Sequence, residues 1–163
     1  SAESQRRSSI VLSQVGLPDK FDAALAGDRI LDGLLTVEEI LREWILDADL
    51  VALSACETGL GKLVAGEGYL GLAHAFLQVG ASSMVVSLWD VDDQATSLLM
   101  HRFYENRCVC GDGDQTPSAS RRVPKARALR DAKDWLRHYE DASGRRPFEH
   151  PYYWSAFILI GDG

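Results

Sequence analysis

Long apolar runs, cysteine pairs and excess positive charge are all scarce in this sequence, and each scarcity removes a class of function. No stretch approaches the roughly 18 to 20 uninterrupted apolar residues that span a bilayer, and the polar opening Ser1-Ala-Glu-Ser-Gln-Arg-Arg7 does not read as a secretory signal. A soluble, cytoplasmic protein without membrane contact is the expectation. Three cysteines are an odd number and too few for a disulfide framework in 163 residues, so reduced thiols are expected. Seventeen Lys and Arg stand against 24 Asp and Glu, a net charge of −7, whereas phosphate contacts need clustered cations; nucleic acid is not an expected partner. Only the stretch from Arg121 to Arg137 is locally basic.

Nucleotide and metal motifs are missing as well. A Walker-type loop would need Ser or Thr after Gly61-Lys62 and a glycine five positions before Gly61; Leu63 follows the lysine and Cys56 holds the earlier position. The dinucleotide pattern fails because Gly59-Leu-Gly61 is followed by Val64 where a third glycine belongs. Cys108-Val-Cys110 has no second cysteine pair or nearby histidine to complete a tetrahedral set. No cofactor and no metal are expected.

What is present is an ordinary core composition, 46% hydrophobic and 25% charged, arranged as strand-like runs alternating with helical patterns. This predicts an α/β fold with a mainly parallel sheet. Strands are predicted at Ser9 to Leu12, Leu50 to Ala55, Ser83 to Trp89 and Trp154 to Ile160, the last three covered on both faces because they lack polar alternation. Helices are predicted from Thr36, with the capping-box spacing Thr36-Val-Glu-Glu39; from about Gly66 to Val79, with Gly80 as the stop; and from about Asp92 to Asn106. A fourth follows Pro124, with Leu129, Ala132 and Leu136 on one apolar face. Residues 108–120 read as a flexible insertion. Four strands make a thin sheet, which predicts a domain incomplete on its N-terminal side.

Cys56 ends the run Asp49-Leu-Val-Ala-Leu-Ser-Ala-Cys56 and is followed at once by Glu57-Thr-Gly59-Leu-Gly61. A strand that delivers a thiol into a glycine-rich turn places it at the carboxyl edge of the sheet, where open α/β sheets keep their chemistry. Glycines there permit the sharp reversal an exposed nucleophile needs, and amides at such a turn can face a developing oxyanion. The competing reading is a buried cysteine acting as a small hydrophobe. Asp90 directly follows Ser83-Met-Val-Val-Ser-Leu-Trp89 and is expected at the same edge, whereas Asp92 or Asp93 suits a helix cap.

Taken together, Leu53-Ser-Ala-Cys-Glu-Thr-Gly-Leu-Gly61, Gly66-Glu-Gly68, Ser87-Leu-Trp-Asp-Val-Asp-Asp93 and His150-Pro-Tyr-Tyr-Trp-Ser-Ala-Phe157 resemble a CHAT domain, the caspase-like family often attached to tetratricopeptide repeats. The resemblance spans roughly Asp28 to Asp162 and implies a caspase-like three-layer sandwich, with residues 1–163 as the carboxyl-terminal part of one domain. It implies cysteine peptidase chemistry on a protein or peptide substrate, with Cys56 as nucleophile and its own amide as one oxyanion donor in the Gly59 turn. Asp90, Trp89 and Glu57 are the candidate substrate-binding residues, and Asp90 would favour Arg or Lys at P1. A tetratricopeptide-repeat region is the implied partner.

The partner histidine of this family sits in a Thr-His-Gly-like motif that these residues lack, and the resemblance places it ahead of Ser1. Without that base a thiol titrates near about 8.5 and is only a few per cent thiolate at neutral pH, so these 163 residues alone are expected to be nearly inactive. The alternative function is a non-catalytic caspase-like scaffold.

Overall fold

A computed structural model describes residues 9–13, 15–27, 32–53, 67–108 and 123–163. These form two compact units, one from the described residues up to Asp47 together with those up to Ala81, the other from Ala48 to Leu53 together with Ser82 onward.

The first unit pairs strand β1 (Ser9–Val11) antiparallel with strand β2 (Leu34–Thr36), Ile10 opposite Leu35. Helix α1 (Lys20–Ala26) lies between them in sequence; the Asp19 carboxylate accepts from the amides of Phe21 and Asp22, and Gly27 closes the helix at φ 75°. Helix α2 (Val37–Glu43) begins with a complete capping box: Glu39 N donates to Thr36 Oγ1 at 3.2 Å, and Thr36 N donates to Glu39 Oε2 at 2.9 Å. Orphan amides of the first turn are thereby satisfied from both directions, as the Thr36-Val-Glu-Glu39 spacing predicts. Helix α3 (Glu67–Gln78) contributes buried Leu72, Ala75 and Phe76, while α2 contributes Val37 and Ile40. Trp44 meets Phe76 edge to face at 5.9 Å. Past α3 the chain reverses at Gly80, whose φ is 115° and where an added Cβ would lie 2.0 Å from the Leu46 carbonyl oxygen. Only glycine fits that close approach.

In the second unit a three-stranded sheet runs β3 (Val51–Leu53), β4 (Ser83–Ser87), β5 (Phe157–Gly161). Strands β3 and β4 are parallel, with Leu53 opposite Val86; β5 returns antiparallel, with Phe157 opposite Ser87. Helix α4 (Asp93–Arg107) starts on the Asp92 cap, whose carboxylate accepts from Ala95 N at 3.0 Å. Helix α5 (Lys125–Arg137) packs against α4, and its Leu129, Ala132 and Leu136 join Val85, Leu99, Phe103 and Phe157 in one core. The 3.6-residue period of that apolar face is what docks α5.

Several sequence expectations change. The described strands form mixed rather than mainly parallel sheets, because β5 pairs antiparallel and β1–β2 is a separate antiparallel ribbon. The last strand starts at Phe157, and residues 151–156 form a 3-10 turn and its exit instead of strand. Strand β4 is buried at every position as expected, while β3 and β5 are only partly covered. Helix α1 and strand β2 were not anticipated. Of the predicted insertion at 108–120, all but Cys108 lies outside the described residues. No described helix is long and apolar enough to cross a membrane.

Candidate functional site

Because β3 and β4 run parallel, their carboxyl ends share one edge of the sheet, and the segment leaving β4 is fully described there. Strand β4 is anchored by complete burial, and Val91 returns to the core at 6% exposure. Between these two anchors Leu88 and Asp90 stand exposed and Trp89 is half-buried. Asp90 is exposed, and its carboxylate has no hydrogen-bond or ion-pair partner among the described residues.

Its backbone, in contrast, is held firmly. The sequence His150-Pro-Tyr-Tyr-Trp154 folds as a 3-10 turn (Pro151–Tyr153): proline supplies a fixed φ at the first position, and His150 Nδ1 accepts from Tyr152 N at 3.2 Å. That turn presents Tyr152 to the strand end. Trp89 Nε1 donates to the Tyr152 carbonyl at 3.0 Å, the Tyr152 hydroxyl donates to the Asp90 carbonyl, and the two rings lie 6.2 Å apart. Leu88 N donates to Ala156 O at 3.0 Å, extending the strand pairing by one step.

The turn is itself supported by a run of ring contacts. Tyr152 meets Tyr153, Tyr153 meets Phe148, Phe148 meets Tyr139 and Tyr139 meets Trp135, at centroid distances of 5.6, 5.3, 5.9 and 5.4 Å. All fall in the range where offset and edge contacts are attractive. Helix α5 is thus linked through aromatic packing to the segment that carries Asp90.

Of the residues singled out in the sequence, Asp90 and Trp89 are brought together at this edge, and Asp92 is confirmed as the cap of α4. Cys56, Glu57 and Gly59 lie outside the described residues. Of the four histidines in the chain, His74 is exposed on α3, His101 sits 3.6 Å from Glu105, His138 Nδ1 donates to Asp134 O at 2.8 Å, and His150 caps the 3-10 turn. Cys108 is an exposed free thiol following α4. The neighbouring Arg107 reaches Asp49, ahead of β3, so Cys108 belongs to the opposite edge of the sheet from Asp90. Among the described residues no group of three or more His, Cys, Asp or Glu is arranged to hold a metal ion.

Sequence reading missed Tyr152. Its signal was the quoted His150-Pro-Tyr-Tyr-Trp154 motif, whose target, 62 residues away, is not legible there.

Comparison with known proteins bears on this edge. The CHAT domain family model matches residues 1–162. Tetratricopeptide repeat protein 28 of Homo sapiens is 30% identical over 129 residues, which cover 79% of this chain and 4% of that protein. The Mus musculus protein of the same name is 29% identical over the same length. The chain therefore spans about 4% of the length of the curated relatives it matches.

Proposed function

Because the chain belongs to the CHAT domain family, a caspase-like family, we propose that it carries the nucleophile of a cysteine endopeptidase with a caspase-like sandwich fold. The observation that carries the reading is the parallel β3–β4 pair, with the open carboxylate of Asp90 at its carboxyl edge and Cys56 three residues past Leu53 in sequence.

In this reading the Cys56 thiolate attacks the scissile carbonyl. Its C–S bond forms as the peptide C–N bond breaks, and the leaving amine takes a proton from a histidine supplied by a segment other than these 163 residues. Water then hydrolyses the thioester. The Cys56 amide, in the turn containing Gly59, stabilises the oxyanion. Asp90 receives an Arg or Lys side chain at P1, and Trp89 and Glu57 are the further candidate substrate-binding residues. An exposed free thiol such as Cys108 suits a reducing, cytoplasmic setting.

A second reading is a caspase-like scaffold that binds partners without cleaving them. It is favoured by the names of the relatives, which state a tetratricopeptide repeat. Association with a repeat region fits both readings.

The deciding experiment assays the intact protein that carries this chain, and its Cys56→Ala variant, against peptides with Arg, Lys, Asp or Leu at P1. Cleavage after Arg or Lys that disappears with Cys56→Ala establishes the peptidase. Absence of cleavage, with repeat partners supplied, establishes the scaffold.

A further inference from the structure

We infer that Tyr152 is a positioning residue for basic-side-chain recognition: its hydroxyl fixes the Asp90 peptide so that the carboxylate is presented ready to receive a guanidinium or ammonium group. This rests on the reading of Asp90 as the basic-residue site, and it reaches a residue to which neither sequence nor comparison gives a role.

Three backbone or indole bonds tie residues 88–90 to residues 152–156, and Tyr152 makes two of them from opposite ends of its own residue. Its carbonyl takes the Trp89 indole proton, and its hydroxyl gives a proton to the Asp90 carbonyl. The bond at Asp90 uses the main chain, and the carboxylate has no partner among the described residues. The clamp therefore holds the peptide through its carbonyl rather than through the side chain. Tyr152 is 46% exposed and Trp89 is half-buried, so both rings stay partly accessible to a ligand that reaches Asp90. Guanidinium groups favour that combination of carboxylate and aromatic face. Fixing the loop before the ligand arrives removes the ordering cost that would otherwise be taken from affinity.

The test uses fluorescence anisotropy on the intact protein carrying Cys56→Ala, so that no peptide is cut, with two labelled peptides that differ only in a C-terminal arginine amide or leucine amide. Tyr152→Phe keeps the ring and the carbonyl and removes one O–H. The expected result is a loss of roughly five- to tenfold in the arginine-over-leucine affinity ratio, the size of one hydrogen bond. Leucine-peptide affinity stays at the parent value, and the melting temperature falls by no more than the loss of one hydrogen bond accounts for. Asp90→Asn abolishes the ratio altogether.

A Tyr152→Phe ratio equal to the parent's overturns the inference. Equal weakening of both peptides also overturns it, because that is what a merely structural tyrosine would give. A parent protein without arginine preference overturns it together with the Asp90 reading. Arginine preference that follows Asp90 and Tyr152, in a protein that cleaves nothing when Cys56 is restored, leaves this inference standing and removes the peptidase reading alone.

Discussion

Asp49 Oδ1 lies 2.7 Å from Nζ of Lys125, a lysine whose side chain is only 8% exposed. The other carboxylate oxygen of Asp49 lies 2.6 Å from Nη2 of Arg107, and Arg107 also donates to the Val123 carbonyl. One carboxylate ahead of β3 therefore fastens the end of α4 and the start of α5. Removing it strands a buried ammonium, whereas removing the lysine does not. Asp49→Ala is expected to cost about 1–3 kcal/mol, below the loss for a fully buried pair because Asp49 is 48% exposed, and Lys125→Met is expected to cost less. Chemical denaturation of both variants checks the order; a larger loss for Lys125→Met would contradict it.

At Gly80 the backbone combines φ 115° with a Leu46 carbonyl 2.0 Å from any added Cβ. Gly80→Ala should destabilise the protein by more than the ~1–3 kcal/mol that a strained backbone conformation costs, because the added methyl also collides with the Leu46 carbonyl. A thermal melt within a degree of the parent would show that the turn relaxes without strain.

Asp90 and Asp92 lie two residues apart and should separate cleanly. Asp92→Ala removes the cap of α4 and is expected to lower stability by about 1 kcal/mol while leaving any arginine preference intact. Asp90→Asn should do the reverse, erasing the preference with an unchanged melting temperature. Finding both effects in one variant would mean that cap and site are not independent.

Asp141 provides the acid-sensitive element. The Ser143 hydroxyl donates to its carboxylate at 2.6 Å, and the amides of Arg145 and Ser143 donate at 3.0 and 2.8 Å, which together hold its pKa well below the ordinary carboxylate value. A depressed folded pKa stabilises the protein above the unfolded value, near about 3.9, and that contribution disappears as pH falls toward the folded value. Asp141→Asn should thus melt lower than the parent at pH 6, with the gap closing as pH drops below about 4. A gap that stays constant through the acid range would assign the difference to something other than this carboxylate.

Local chemistry is what reads directly from the residues. Thr36 and Glu39 cap their own helix, Gly80 stops α3, Asp92 starts α4, and the spacing of Leu129, Ala132 and Leu136 announces the buried face of α5. The helix caps depend on neighbours within about one helical turn, so sequence order and spatial order coincide there, whereas Gly80 is also required by the distant Leu46 carbonyl. Strand β1 is legible as the run Ser9 to Leu12, whereas strand β2, at three residues, is too short to show any periodicity and helix α1 has too few turns. Their identity comes from pairing and capping rather than pattern.

The candidate site divides along the same line. That Asp90 follows a buried strand is read from the sequence alone, because the apolar run ahead of it is a property of adjacent residues, whereas the 3-10 turn at Pro151–Tyr153 stands where the sequence suggested only the approach to the last strand. The antiparallel return of β5, the grip of Asp49 on two helices, and the meeting of Tyr152 with Asp90 were decided by the tertiary structure. Each joins residues separated by tens of positions, and such contacts form only once hydrophobic burial has fixed the chain path; no local propensity encodes which distant carbonyl a tyrosine hydroxyl will find.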